Sequence, residues 1–236
     1  MTVYYQEGAD AALVLLVGSV NESVVKGLNK ISGYSLERGI IEVEEFRNDI
    51  SRKFSGGGKL GAITYAGNAV LGDTYGQDKL KDYWLNRTKF SDARIYFNND
   101  HFMAPDLAQD DLAAFQVTKI NVGQADKNGV FPYDGELVLN GRPATFWIHM
   151  EDAATPTIKF VQGSSSDDTI TDSASGFVTA GFVAGMSIII DGNPTNKGKY
   201  AVIKTVAAGV LTLDGEGLID DDATGSALTV IHGGKL

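Results

Sequence analysis

The chain contains no cysteine among its 236 residues, which excludes disulfides, thiolate metal sites and a cysteine nucleophile. Histidine is scarce: His101, His149 and His232 stand far apart, and neither an HExxH run nor another local zinc pattern occurs. Long apolar runs are missing as well. The longest near the start, Ala11 to Val17, falls far short of the roughly twenty residues that a membrane-crossing helix needs, so no membrane insertion is expected. The opening MTVYYQEGAD lacks the basic start of a secretory signal, which points to synthesis in the cytoplasm and gives the sequons at Asn21 and Asn86 little weight. Basic charge is in deficit, with a net charge of -10. That argues against a conventional DNA-binding surface, because duplex affinity rests on cations that neutralise phosphates and release counterions. It is compatible with acidic walls that DNA slides past without sticking, and equally with plain solubility.

Catalytic motifs are also lacking. Gly56-Gly57-Gly58-Lys59 suggests a phosphate loop, but that motif needs a glycine where Lys53 stands and a serine or threonine where Leu60 stands. No GxSxG elbow is present, and Ser164-Ser165-Ser166 reads as a polar loop. Asp110-Asp111 and Asp220-Asp221-Asp222 lack EF-hand spacing and read as turn residues, as does Asp191-Gly192-Asn193-Pro194. No catalytic residue, cofactor or metal ligand is assigned.

Composition shifts near Pro156. Of the 22 aromatic residues only Phe160, Phe177, Phe182 and Tyr200 lie beyond it, and all six arginines, Arg38 to Arg142, precede it. EDAATP reads as a linker, which divides the chain into residues 1–155 and 156–236. The first part is mainly β with one helix: GQDKLKDYWLNR places Leu80, Tyr83, Trp84 and Arg87 at helical spacing, with the aromatics expected on the face that meets a sheet. Residues 93–97, 115–120 and 135–139 alternate as strands, and Asn140-Gly141 favours a tight reversal into a strand over 144–150. Beyond the linker, short apolar runs punctuated by Gly, Asn, Asp and Pro indicate a small all-β barrel or sandwich.

The most unusual stretch is IIEVEEFRNDISRKFSGGGKLGAIT, residues 40–64. Ile41 and Val43 alternate with Glu42 and Glu44, and residues 62–65 begin another strand, but the connection is too long for an ordinary hairpin turn of about two to five residues. Arg47, Arg52, Lys53 and Lys59 offer donors, Asp49 an acceptor and Phe54 an apolar anchor, which is the chemistry of a contact arm.

Taken in order, GYSLERGIIEVEEF, RNDISRKFSGGGKLG, GQDKLKDYWLNR, FSDARIYF and the run from Ala114 to Trp147 resemble the early strands, long hairpin arm, helix, following strand and closing strands of the major tail tube protein of long-tailed bacteriophages, the siphophage type. The remainder is similar to small β-domains on phage virion proteins. The resemblance implies a tail-tube-type β-sandwich or barrel with one packed helix, assembled into hexameric rings that stack into a tube for DNA ejection. It implies a non-enzymatic virion protein with an outward C-terminal decoration domain. Partners would be further copies of the chain, the tail initiator, tape measure and terminator proteins, and passing DNA held without specific binding. The arm residues Arg47, Asp49, Arg52, Lys53, Phe54 and Lys59 would bridge rings. Glu42, Glu44 and Glu136 would face the channel, although an outward solvent face satisfies the same alternation. A competing reading is a two-domain carbohydrate-binding or adhesin module, which the aromatic-poor second part weakens.

Overall fold

Alternating side chains dominate the chain, and they form a mainly β protein. The computed structural model describes residues 11–32, 36–43, 52–97, 101–124, 129–152 and 155–235, with the backbone alone for 36–43 and 52–59. In the first part the elements are β1 (Ala12–Leu15), β2 (Ser23–Val24), β3 (Leu28–Ile31), β4 (Leu36–Val43), β5 (Arg52–Leu60), β6 (Ile63–Asn68), α1 (Gln77–Leu85), β7 (Lys89–Phe90), β8 (Arg94–Tyr96), β9 (Phe102–Pro105), β10 (Ala114–Val122), β11 (Pro132–Asn140) and β12 (Pro143–Glu151). There follow β13 (Ile158–Val161), β14 (Thr169–Asp172), a single helical turn α2 (Phe177–Ala180), β15 (Ser187–Asp191), β16 (Tyr200–Ala207), β17 (Val210–Leu213) and β18 (Val230–Lys235).

A five-stranded antiparallel sheet in the order β3-β6-β11-β10-β7 carries the first core. Along β11, Tyr133, Leu137 and Leu139 point inward while Asp134, Glu136 and Val138 are only partly covered, the period of two expected of a sheet with one packed face. The inward side chains pack with Tyr65, Phe115 and Val117 of this sheet, Leu13, Leu15, Ile95 and Met103 of a second sheet, and Leu80 and Tyr83 of α1. Gly135 lies opposite Tyr65, where an added Cβ would come within 2.2 Å of the tyrosine oxygen, so the ring lies across a position that must stay bare. The helix forms where the sequence places it, but Trp84 is 46% exposed. The buried stripe is Gln77, Leu80 and Tyr83, and the next residue turns about 100° away from it.

Asn140-Gly141 does not make a hairpin. β11 pairs with β10 and β6, whereas β12 pairs with β9 and β18 in the other sheet, so the chain changes sheets at this corner. Gly141 adopts φ +95°, and a Cβ there would approach an Asp110 carboxylate oxygen at 2.5 Å. That carboxylate accepts the Arg142 N–H at 2.9 Å and closes the corner. Local turn chemistry favoured a reversal, and the competition of two sheets for β12 overrode it.

The larger sheet has eleven strands in the order β13-β14-β17-β16-β15-β18-β12-β9-β8-β1-β2, running through both parts of the chain. A bulge between Phe146 and Ile148 lets β12 serve two cores. Ahead of it, Ala144 and Phe146 join Phe102, Ala104 and Ile189 in a shared cluster. Beyond it, Ile148 and Met150 turn towards the core of the second part, built on Phe160, Phe177, Ile188, Ile190, Ile203 and Ile231. β15 is therefore covered on both faces, which accounts for its unbroken Ile188-Ile189-Ile190 run. Aspartates close the turns of the second part. Asp168, buried, accepts backbone N–H groups of Gly163, Gly217, Leu218 and Ile219 at 2.6–3.1 Å. Burial pushes its carboxyl up, but those four donors outweigh burial and hold it below the ordinary carboxylate value.

Candidate assembly surfaces

The outer face of the five-stranded sheet is open, polar and charge-balanced. Lys119 pairs with Glu136 at 3.5 Å across β10 and β11, Asn121 donates to Asp134 at 2.8 Å, and the Thr118 hydroxyl donates to the Glu136 carbonyl at 3.3 Å. A register shift between Val117 and Lys119 exposes Thr118 and Lys119 together. Thr64 and Asn68 of β6 add exposed, uncharged polar positions. The resulting surface is partly solvated, with each acid on β11 matched by a donor on its neighbour.

The sheet's edges are unfinished. β7 covers only Phe115 and Gln116 of β10, leaving residues 117–122 without a strand partner on that side among the described residues. Trp84, Leu85 and Arg87 line an open groove with Gln116, Val117 and Thr118 along this free edge. At the opposite edge stands β3, only four residues long. Such edges present unpaired N–H and C=O groups that favour strand addition.

β4 and β5 form a separate two-stranded sheet, with Val43 opposite Arg52 and Leu36 opposite Leu60. Along the chain β4 follows β3 and β5 leads into β6. Residues 52–60, which the sequence assigns to the arm, are thus a strand, and the triple glycine lies in it beside a register shift between Arg38 and Ile40. Of the arm residues, Arg52, Lys53, Phe54 and Lys59 are on β5, whereas Arg47 and Asp49 lie outside the described residues, as does Glu44. Register places Glu42 opposite Lys53 and Glu37 opposite Lys59, opposite charges across the ladder. Glu42 and Glu136 are therefore on different sheets, and only Glu136 belongs to the open face.

A charged cluster that sequence reasoning missed joins the two parts of the chain. Arg94 on β8 donates to both carboxylate oxygens of Asp191 on β15, at 2.5 and 3.0 Å, and its guanidinium lies 4.6 Å from the Phe102 ring centroid. His232 on β18 approaches the same carboxylate with Nε2 at 3.0 Å and meets Phe102 edge-on. Arg94 is 4% exposed and His232 9%. The sequence signal was a lone arginine inside the alternating run Ala93 to Phe97 and an acid ending an apolar strand. Burial pushes the Asp191 carboxyl up, but Arg94 and His232 more than reverse this and hold it well below the usual range. Burial instead pulls the His232 imidazole below its ordinary value, against the contrary pull of Asp191. Neutral tyrosine completes the surroundings: burial pushes the Tyr200 phenol up to about 12.

A pH dependence follows. Both lowered groups stabilise the fold above their unfolded values and lose that contribution as pH falls, His232 from about 6.5 downward and Asp191 below about 3.9. Denaturation midpoints are expected to decline between pH 7 and 5, and His232→Gln, which removes the titrating group while keeping a donor, should flatten that part of the profile. An unchanged slope in the variant would show that His232 is not its source.

No family model matches the chain, and no curated protein matches it. Among solved structures, a component of the tail of an empty gene transfer agent particle is 16% identical, with a TM-score of 0.42 over 59% of this chain and 97% of that one. A component of the native gene transfer agent virion is 14% identical, with the same TM-score and coverages. A component of the anti-feeding prophage baseplate is 15% identical, with a TM-score of 0.41 over 61% of this chain and 97% of that one. At these identities and TM-scores the likenesses assign no function to this chain.

Proposed function

We propose that the protein is a structural subunit of a phage-type tail tube, forming hexameric rings that stack into a conduit for DNA. The observation that carries this reading is the five-stranded sheet: one face packed, the other open and polar, and free edges on both sides. Edge-to-edge joining of neighbouring copies would satisfy the unpaired backbone of β10 and β3 and close a ring, turning six open faces into one continuous wall. Glu136 would then line the lumen with its charge offset by Lys119. With the chain's acidic balance, this limits adhesion of phosphates and lets DNA pass without specific binding. No catalytic role is assigned. Residues 156–236 would form the outward part, and such decoration leaves little room for a close-fitting sheath, which favours a non-contractile tail in the siphophage manner.

Electron microscopy of the purified protein tests the proposal. Rings or tubes with a central channel are expected, at high concentration or with an initiator protein present. Persistent monomers under both conditions would overturn it. Deleting Ser51 to Lys59, which removes most of β5, is expected to leave rings but abolish their stacking; normal tubes from that variant would remove the bridging role of the arm.

A further inference from the structure

We propose that His149 and His232 form a two-histidine site for an imidazole-preferring divalent ion of the zinc class, clasping β12 to β18 where the two parts of the chain share one sheet.

The two residues are far apart in the sequence, yet they stand directly opposite each other across the β12–β18 ladder. Opposite residues project from the same face, close enough to share a ligand. Their ring centroids are 5.1 Å apart and their planes are tilted by 52°, so the rings are not stacked. Two imidazoles whose nitrogens each lie about 2.0–2.1 Å from one tetrahedral ion have centroids roughly 5 Å apart. The observed spacing is that of rings sharing an ion.

An unpaired nitrogen is the second observation. His232 is buried, and its Nδ1 has no hydrogen-bond partner among the described residues. Its Nε2 lies 3.0 Å from the Asp191 carboxylate, which Arg94 holds in turn. Donation to that carboxylate fixes the tautomer, with the proton on Nε2 and the lone pair on Nδ1. A carboxylate behind one ring nitrogen and a metal on the other is the usual outer support of a ligating histidine. Burial also pulls the imidazole below its ordinary value, which keeps the ring uncharged and able to ligate at neutral pH. His149 is exposed and gives the ion a way in from solvent. Glu151, also exposed, follows two residues later on the same face of β12 and adds negative charge beside the site. Water would complete the coordination, since no group of three His, Cys, Asp or Glu side chains able to hold a metal occurs among the described residues. β18 is the strand that joins β12 to β15, so the ion would tie the last strand of the first part to the sheet of the second.

Zinc chloride added to the full chain at neutral pH in a non-chelating buffer tests the site. Calorimetric titration should give one ion per chain, and free zinc at about ten times its dissociation constant should raise the melting temperature by about 3–6 °C, reversibly with EDTA. His149→Ala should weaken binding about tenfold or more and remove the rise, whereas His101→Ala, at the histidine outside the pair, should keep both. Imidazole nitrogen NMR supplies a readout that packing alone would not move. Zinc should shift the ring nitrogens of His149 and His232 and leave those of His101, with His232 bound through Nδ1 and still protonated at Nε2. Failure to bind zinc, full binding by His149→Ala, loss of binding by His101→Ala, or ligation of His232 through Nε2 would each overturn the site.

Discussion

Arg94→Ala is expected to cost about 3–5 kcal/mol of folding stability, the range for breaking one side of a buried ion pair. Asp191 would keep His232 as a partner but lose both guanidinium hydrogen bonds, and its charge would stay largely buried. The Phe102 ring would also lose the cation on its face. Urea unfolding reads the loss as a lower midpoint with little change in slope. Arg94→Lys keeps the charge but not the planar fork, so it should recover only part of the difference. A loss below about 1 kcal/mol would mean that the pair behaves as a solvated surface bridge. Adding Asp191→Leu to Arg94→Ala should cost less than the sum of the two single changes, because the second change removes the stranded charge.

Ending the chain at Thr155 is expected to destabilise the first part strongly, although the composition shift there marks a natural boundary. Three losses coincide. β12 loses its pairing with β18 from Thr145 to Glu151, which leaves a new open edge. Phe102 and Phe146 lose the cover of Ile189. Arg94 loses Asp191 and stands unpaired beneath a newly exposed surface. The shortened chain should aggregate or unfold at a lower temperature than the full chain, in calorimetry or light scattering. Arg94→Leu within it should recover solubility poorly, since it removes the stranded charge but not the open edge. A shortened chain as stable as the full one would show that the second part is an independent appendage. We therefore treat residues 156–236 as a proposed second unit with its own core, attached through a sheet that both parts share.

Much of the fold is written locally. The alternation along β11, the Leu80 and Tyr83 spacing of α1 and the turn rhythm of the second part each follow from a period of two or 3.6 against water. Trp84 escaped because an amphipathic stripe read from one sequence tolerates an error of one residue, about 100°. The corner at Asn140-Gly141 escaped for another reason. Its residues accept a left-handed turn, but which sheet the next strand joins depends on β9 and β18, some 40 and 90 residues away along the chain.

The sequence by itself determined that disulfides and thiol chemistry are excluded, the class of fold, the place of the helix and the existence of a long charged excursion between two strands. It also marked Glu136 as an outward residue of its strand. Tertiary structure decided the rest: that residues 52–60 pair back on β4, that Lys119 matches Glu136, that a bulge turns β12 from one core to another, and that Arg94, Asp191 and His232 meet. Periodicity is a property of neighbouring residues and survives without a fold, whereas a buried charge finds its partner only when distant strands are brought into register.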